Sequence, residues 1–433
     1  MAADLYPDRI DLSTLAEPLY RGSVQHLFAV PGRSDFMVAQ TTEAGSVFDV
    51  GSIFHIKDND VNRAVFRHAL YTRLGQAEQW QRVKKRIEAD TTMDPSWKAE
   101  ILSGPLETMV TDGASTHHIG MLDAVTGELV KGRMPEHPSS YNVVRRFPVL
   151  VPPQRPFLGR HVFDYEQFYQ SNTYVVPLEY IVRFGITSGS SILKKYQALQ
   201  DAGKRAYEQE LGLSSAMEPW QMLPQPLFDL TSKYEPEDRN VSRQEALLMS
   251  GVGAQSFLTT VKMALLGAWV VRDILDEIGL TLWDMKWEFA VDGQDTFFVD
   301  TVDTDSFRAT SVTERGGYKL VLHYNKQAMR DYYRLIHPAW FAGVNEAKKQ
   351  AAAQGGPFTE ILRAGQSEGR WLPTPEVDAE FLDLQAEKTR IIREHVLGQN
   401  ANAKQQLTDC GEREISFYES RGKLTEYAAI NGL

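Results

Sequence analysis

The stretch from Thr281 to Arg308 constrains this chain most. Trp283, Met285, Trp287 and Phe289 alternate with Asp284, Lys286 and Glu288. A strand with that period of two puts the large apolar groups on one face and two carboxylates with a lysine on the other. Asp292-Gly293 supplies a tight-turn signal, and the return run from Thr296 to Asp300 brings Asp300 back along the first strand. Such a hairpin must bury its aromatic face in a core. Carboxylates on neighbouring strands with a lysine between them can hold a hard divalent cation beside a phosphate oxygen. The plain alternative is a solvated polar strand face.

A core of the required size is available: the chain has 433 residues, 42% of them hydrophobic, enough for two or three domains or one large elaborated one. A net charge of −11 argues against nucleic acid as the main partner, although a local basic cluster can still bind a small anion. Cys410 is the single cysteine, which leaves no internal disulfide and no cysteine-based metal site. Met1 to Ile10 is polar and lacks the apolar core of a signal peptide. The longest strongly apolar run, Met263 to Val271, lies between Lys262 and Arg272, is too short for a bilayer and reads as a buried helix. These features predict a cytoplasmic protein with no membrane contact.

Leu19 to Leu27 and Asp35 to Thr41 read as strands joined at Pro31-Gly32. Asp58 to Leu74 and Gln76 to Glu88 read as helices, the first with Val61, Val65, Phe66, Ala69 and Leu70 on one stripe. From Thr91 to Gln170 the chain is rich in Pro, Gly and Ser and is expected to form surface insertions. Tyr174 to Phe184 is an apolar strand interrupted by Pro177, which suggests an edge or a segment connecting two lobes. A Ser/Gly turn, 187–191, leads into a helix at Ile192 to Gln200. Ser242 and Glu245 have capping-box spacing at the start of a long helix running to Gly279. Lys326 to His337 is helical, Ala347 to Gly356 resembles a linker, Pro375 to Val396 is an amphipathic helix, and the tail from Leu397 is polar and expected to be peripheral.

Arg183 followed by Thr187-Ser188-Gly189-Ser190-Ser191 is a candidate phosphate site, since hydroxyls and backbone N–H groups near a bidentate guanidinium suit an anion. Asp305-Ser306-Phe307-Arg308 places a second arginine near the carboxylates, where a surface salt bridge is the alternative. Gly22, in Leu19-Tyr20-Arg21-Gly22-Ser23, hints at close approach of backbone to a ligand. His117-His118 lacks partners at metal spacing and reads as structural or surface. Neither a Walker loop nor a GxGxxG motif is present, and no Ser-His-Asp set has a supporting motif.

Taken in order, several segments resemble the phosphoribosylaminoimidazole-succinocarboxamide synthase (SAICAR synthetase) family. They are LYRGSVQHLF from Leu19, SVFDV from Ser46, VVPLEYIVRFGITSGSS from Val175, PQPLFDLTSK from Pro224, EDRNVS from Glu237, LTLWDMKWEF from Leu280, VDTVDTDSFR from Val299, YNKQAMRDY from Tyr324 and PTPEVDAEFLDLQAEKT from Pro373. The resemblance spans roughly Leu15 to Gly398. It implies an α/β (α+β) fold of two lobes, a small antiparallel ATP-binding lobe and a larger α/β lobe, with a helical C-terminal extension. The corresponding divisions are 1–175, with insertions at 91–170, then 176–345 and 346–433. It also implies an ATP- and Mg2+-dependent ligase that phosphorylates the carboxylate of an aminoimidazole ribonucleotide, which the amine of aspartate then attacks. The partners are thus a small ribonucleotide and an amino acid, and a homo-oligomer is possible.

On that resemblance Glu288 and Asp300 are the magnesium carboxylates. Lys286 meets phosphate or the reacting carboxylate, and Asp284 positions Lys286. Arg183, Ser188 or Ser190, and Arg308 hold the ribotide phosphate. Gly22, Ser23 and Gln25 form the loop over the ATP phosphates, and Asp49, Lys233, Asp305, Ser306 and Lys326 meet the rest of the substrates. The departures fall mainly in the ATP half. The family's Gly-Lys-Ala-Lys loop is Gly22-Ser23-Val24-Gln25, its Asp-Glu pair is Asp300-Thr301, and its Asp-Lys-Gln motif begins with Asn325. Lys57 and Arg63 are the candidates to replace the lost lysines. The sequence therefore leaves open a working ligase, making either the housekeeping ribotide or one for a nucleoside natural product, a silent ribotide-binding regulator, and a relative with other chemistry.

Overall fold

The computed structural model describes residues 6–236 and 238–433. Residues 1–5 of the polar N-terminus, and Glu237, which opens the EDRNVS segment, lie outside the described residues. The chain begins with a meander of β1 (Tyr20–Arg21), β2 (Gln25–Val30) and β3 (Arg33–Thr41), then a hairpin of β4 (Ala44–Ser46) and β5 (Ser52–His55) leading into α1 (Asn59–Leu74). The run Leu19–Leu27 is not one strand. It folds back on itself where the Gly22 N–H donates to the Gln25 carbonyl at 2.8 Å.

Next come α2 (Ala77–Ala89), α3 (Pro95–Leu102), α4 (Pro105–Asp112), β6 (His118–Leu122), β7 (Leu129–Val130) and β8 (Tyr141–Arg145). The first sheet has the order β1-β2-β3-β8-β6-β7 and is antiparallel throughout. The stretch from Thr91 to Gln170 is therefore more than surface insertion, since it supplies α3, α4 and the inner strands β6 and β8. Its prolines mislead because Pro95 and Pro105 occupy helix first turns, where the missing N–H has no intrahelical partner to lose. An exposed ribbon of β9 (Gln154–Phe157) and β10 (Arg160–Phe163) and a short α5 (Glu166–Tyr169) close this half.

The second half contains β11 (Thr173–Val175), β12 (Leu178–Ile186), α6 (Ser191–Gln197), α7 (Asp201–Glu210), β13 (Gln221–Ser232), β14 (Asn240–Val241), α8 (Arg243–Ser250), α9 (Ala254–Asp276), β15 (Thr281–Asp292), β16 (Asp295–Val299), β17 (Phe307–Arg315) and β18 (Tyr318–His323). Its sheet runs β14-β13-β12-β15-β17-β18, and β11 and β16 pair with the far half of β15. The strand around Pro177 is interior, not an edge: Pro177 falls in the gap between β11 and β12, where no ladder bond is needed. The helix expected over Ser242–Gly279 is two helices. Ser242 caps α8 by accepting the Glu245 N–H at 3.1 Å, but Gly251 at φ +74° turns the chain before α9 starts. α9 is long and apolar enough to cross a membrane, yet most of it is buried in this fold, as a core helix is. The apolar face of β15 behaves as its alternation requires, with Trp283, Met285, Trp287 and Phe289 all buried.

Beyond β18 lie α10 (Gln327–Ile336), α11 (Pro338–Gln354), α12 (Phe358–Ser367), α13 (Ala379–Val396), α14 (Ala403–Ser420) and α15 (Leu424–Asn431). The Ala347–Gly356 segment is not a linker but mostly the end of α11, in keeping with the helix propensity of alanine. The tail is not peripheral. Leu407, Cys410, Ile415, Phe417, Tyr418 and Tyr427 are buried, and the Tyr427 hydroxyl donates to the Val321 carbonyl of β18 at 2.8 Å. Its polar residues answer internal partners. Lys388 and Glu414 form a buried ion pair, and Asn431 Nδ2 donates to Asp331 Oδ2 at 3.0 Å. The whole is a mixed α/β fold with antiparallel sheets and a helical C-terminal region.

Candidate active site

Register builds the site. β12 runs antiparallel to β15 with Arg183 opposite Asp284 and Ile181 opposite Lys286, and β17 sets Arg308 opposite Asp284 from the other side. Alternation then gathers Glu179, Arg183, Asp284, Lys286 and Glu288 on one face. This face is not a solvated one: Arg183, Asp284 and Glu288 are only 2%, 6% and 3% exposed. Unpaired charges at that depth would be costly, so each has partners.

The first cluster centres on Lys286. Its Nζ lies 2.8 Å from Glu179 Oε1, 2.6 Å from Glu288 Oε1 and 3.4 Å from Asp300 Oδ2. Lys233 also pairs with Glu288. Burial, followed by the charge of Asp300, pushes the Glu288 carboxyl up to about 7. Burial acts on Asp300 in the same direction, but the Lys286 and Lys233 ammoniums outweigh it and hold that carboxyl below its ordinary range. Glu288 thus holds its proton to a higher pH than an ordinary glutamate, while Asp300 stays ionised. Burial alone would depress Lys286, yet Glu288, Asp300 and Glu179 raise it, so it stays charged. Among the described residues no three His, Cys, Asp or Glu side chains converge as a ready-made metal cage. Two hard carboxylates meeting at one lysine nonetheless suit Mg2+, which takes one or two carboxylates plus substrate oxygens.

The second cluster is an arch of two arginines over one carboxylate. Arg183 donates from Nε to Asp229 Oδ2 at 2.7 Å, from Nη1 to Asp284 Oδ2 at 3.2 Å and from Nη2 to Ser191 Oγ at 3.1 Å. Arg308 donates from Nε to Asp284 Oδ1 at 2.9 Å and from Nη1 to Thr187 Oγ1 at 2.7 Å. Asp284 thus braces the arginines in this structure; it makes no ion pair with Lys286 among the described residues. Ser190 is fully buried and its Oγ finds no hydrogen-bond partner among the described residues, whereas Ser188 is exposed. Ser190 thus lies in the turn whose Thr187 and Ser191 hydroxyls take Arg308 and Arg183, with its own hydroxyl unused.

The remaining candidates are placed unevenly. Asp305 pairs with Arg63 at 3.2 Å. The Ser306 hydroxyl donates to the Thr301 carbonyl at 2.6 Å and so braces its own turn. The Lys326 side chain makes no hydrogen bond or ion pair among the described residues, and burial lowers its amine. Asp49 is exposed and pairs with Lys348 at 2.8 Å. Gly22, Ser23 and Gln25 lie on the β1–β2 turn, where the Ser23 carbonyl accepts the Ser52 hydroxyl at 2.7 Å. Among the described residues no hydrogen bond or ion pair joins that turn to the carboxylates. Arg63 is not free to serve a nucleotide phosphate, being held by Asp303 and Asp305. Lys57 lines a separate cavity with Arg390 and Arg393 of α13. His68 Nδ1 and His118 Nε2 are 2.8 Å apart, and both rings are packed inside the fold, so His118 is structural.

Glu179 and Asp229 are site residues that no expectation from the sequence named, whereas Thr187 belongs to the Ser/Gly turn expected to bind phosphate. Glu179 and Arg183 sit four apart on one strand, hence on one face, and that alternation was the available signal. Asp229 carried no local signal, because only strand pairing brings it to Arg183.

The model of the family described as SAICAR synthetase matches residues 120–347, more than half of the chain. That interval opens in β6 and includes both clusters, but leaves the Gly22–Gln25 turn outside. A protein of Archaeoglobus fulgidus provisionally named phosphoribosylaminoimidazole-succinocarboxamide synthase is 26% identical over 60% of this chain and 73% of its own length. Enzymes of that name from Thermoplasma volcanium and Streptomyces coelicolor are 27% and 29% identical over 38% of this chain, and the match spans about half of each, 54% and 53%. Among solved structures, the Saccharomyces cerevisiae SAICAR synthase complexed with SAICAR superposes with a TM-score of 0.47 at 17% identity, covering 90% of this chain and 97% of that one.

Proposed function

Since the chain belongs to the SAICAR synthetase family, we propose that it is an ATP-dependent carboxylate–amine ligase, joining aspartate to carboxyaminoimidazole ribonucleotide or to a related ribotide of a nucleoside natural-product route. The observation that carries this reading is Lys286 held among Glu179, Glu288 and Asp300, beside an arginine arch with an unsatisfied serine hydroxyl. In this reading Glu288 and Asp300 hold Mg2+, which when bound neutralises phosphate oxygens of the nucleotide. Lys286 keeps its charge and faces the transferring phosphoryl group or the ribotide carboxylate. Arg183, Arg308, Thr187 and Ser190 bind the ribotide 5′-phosphate, and Asp284 orients both guanidiniums. The ribotide carboxylate takes the terminal phosphoryl group of ATP and ADP leaves. The amine of aspartate then attacks the acyl carbon, phosphate departs, and the amide forms. Lys326, half-buried and with a side chain that pairs with no carboxylate, would meet an anionic substrate group. The enzyme would act in the cytoplasm on small molecules.

A second reading, a ribotide-binding relative with altered ATP chemistry, is supported by the uncharged Ser23 and Gln25, if this turn takes the place of the family's lysine-bearing nucleotide loop as the resemblance implies. Each lost charge-assisted contact is worth roughly 1.5–3 kcal/mol. Calorimetric titration with ATP and Mg2+, with and without the carboxylate ribotide, separates the two. Micromolar ATP binding supports the ligase. Ribotide binding with no detectable ATP binding refutes it in favour of the second reading, and binding of neither refutes both.

A further inference from the structure

α1 presents a polar stripe toward the loop that carries Asp300. Arg63, Arg67 and Tyr71 recur every four residues, hence on one face, and are 3%, 2% and 1% exposed. All grip the segment between β16 and β17. The Tyr71 hydroxyl lies 2.9 Å from the Val299 carbonyl and 2.7 Å from the Asp300 carbonyl, and donates to both. Arg67 pairs with Asp303 at 2.8 Å, and Arg63 with Asp303 at 3.1 Å and Asp305 at 3.2 Å. Asp303 is wholly buried, so this ion-paired knot is interior structure rather than surface decoration.

The grip is needed because Asp300 adopts φ +69°. A non-glycine residue in the left-handed region persists only where its surroundings over-determine it. Two carbonyls turned toward one buried phenol supply that constraint. The phenol is fixed in turn: the His118 ring stacks on it at 5.5 Å and 11°, and the His117 ring sits 5.4 Å away. The His117 N–H donates to the Phe298 carbonyl at 2.9 Å, which ties the same wall to β16.

We propose that Tyr71, supported by Arg67 and Arg63, is a positioning residue that presets the Asp300 carboxylate for the divalent cation, so that α1 works as a clamp on the metal-binding loop. The proposal rests on the reading of Glu288 and Asp300 as the magnesium carboxylates. Tyr71 touches no reacting atom; it acts through the backbone of Asp300.

Tyr71→Phe keeps the ring and removes only the shared donor. Calorimetry with Mg2+ and ATP should show binding weakened about three- to tenfold, as expected for one lost hydrogen bond, with ribotide affinity unchanged. Hydrogen exchange of the ligand-free protein should speed up across 299–306 and not across 183–191. Val65→Ala, a buried α1 position packed on Met121, supplies a comparably destabilised control that should leave both readouts unmoved. The clamp is overturned if Tyr71→Phe exchanges like the wild type, or if exchange rises equally in both segments. Wild-type protein with no Mg2+-dependent ATP binding would instead sink the ligase reading and the cation role, while the exchange data would still decide whether Tyr71 holds the loop.

Discussion

Replacing Glu288 with glutamine should make the metal-free protein more stable at pH 8, although it removes a central charged residue. Glu288 is 3% exposed, and its carboxyl is pushed up to about 7 from an ordinary 4.5, first by burial and then by Asp300. In the unfolded chain the group ionises near its ordinary value. Between about pH 4.5 and about 7 the native state therefore binds a proton that the unfolded chain has released. The stabilisation is full below the unfolded pKa and is lost as pH rises through the folded one. Glutamine mimics the protonated acid, can donate to Asp300 as that acid does, and does not titrate. The variant should thus exceed the wild type by about 1 kcal/mol at pH 5.5 and about 3 kcal/mol at pH 8, at about 1.4 kcal/mol per pH unit of displacement. Asp300 works in the opposite sense, but its window lies below its ordinary value and is not crossed. His68, His117 and His118, lowered by burial, add stability as pH rises toward about 6.5. They do so in both proteins, so the difference isolates Glu288. The assay is urea unfolding in chelator across that range. Parallel stability profiles, or a wild type that gains on the variant toward pH 8, would refute the raised Glu288 carboxyl.

Ser190→Ala should leave ligand-free stability unchanged or slightly raised, since it deletes a buried hydroxyl with no partner, and should weaken ribotide binding about tenfold or more; equal affinities for wild type, Ser190→Ala and Ser188→Ala in a fluorescence titration would remove Ser190 from the phosphate site. Lys388→Met alone should cost about 3–5 kcal/mol by stranding Glu414, whereas Lys388→Met combined with Glu414→Leu should recover most of that; denaturant midpoints that show no recovery would mean the pair itself contributes net stability.

Local chemistry determined much of this protein. The alternation in Thr281–Phe289 dictated a strand with one core face, the Asp292-Gly293 signal dictated its return, and Gly293 indeed takes φ +63° in the turn. The hydroxyls of 187–191 after Arg183, and Arg308 beyond the hairpin, were legible because a phosphate site needs those residue types close in sequence to strand ends. Tertiary structure decided what those residues do. Sequence could not tell a solvated polar face from a buried one, since burial depends on what covers it; here it converts a charged strand face into a lysine among three carboxylates, one of them pushed up by burial. It could not assign Asp284 to the arginines, because that choice rests on β12 and β17 flanking β15. Nor could it foresee that a polar tail folds back on β18, or that Tyr71 reaches Asp300 across 229 positions of chain. Periodicity reports which side of an element a residue faces; only packing supplies the partner on that side, and in this chain the partner sets the charge.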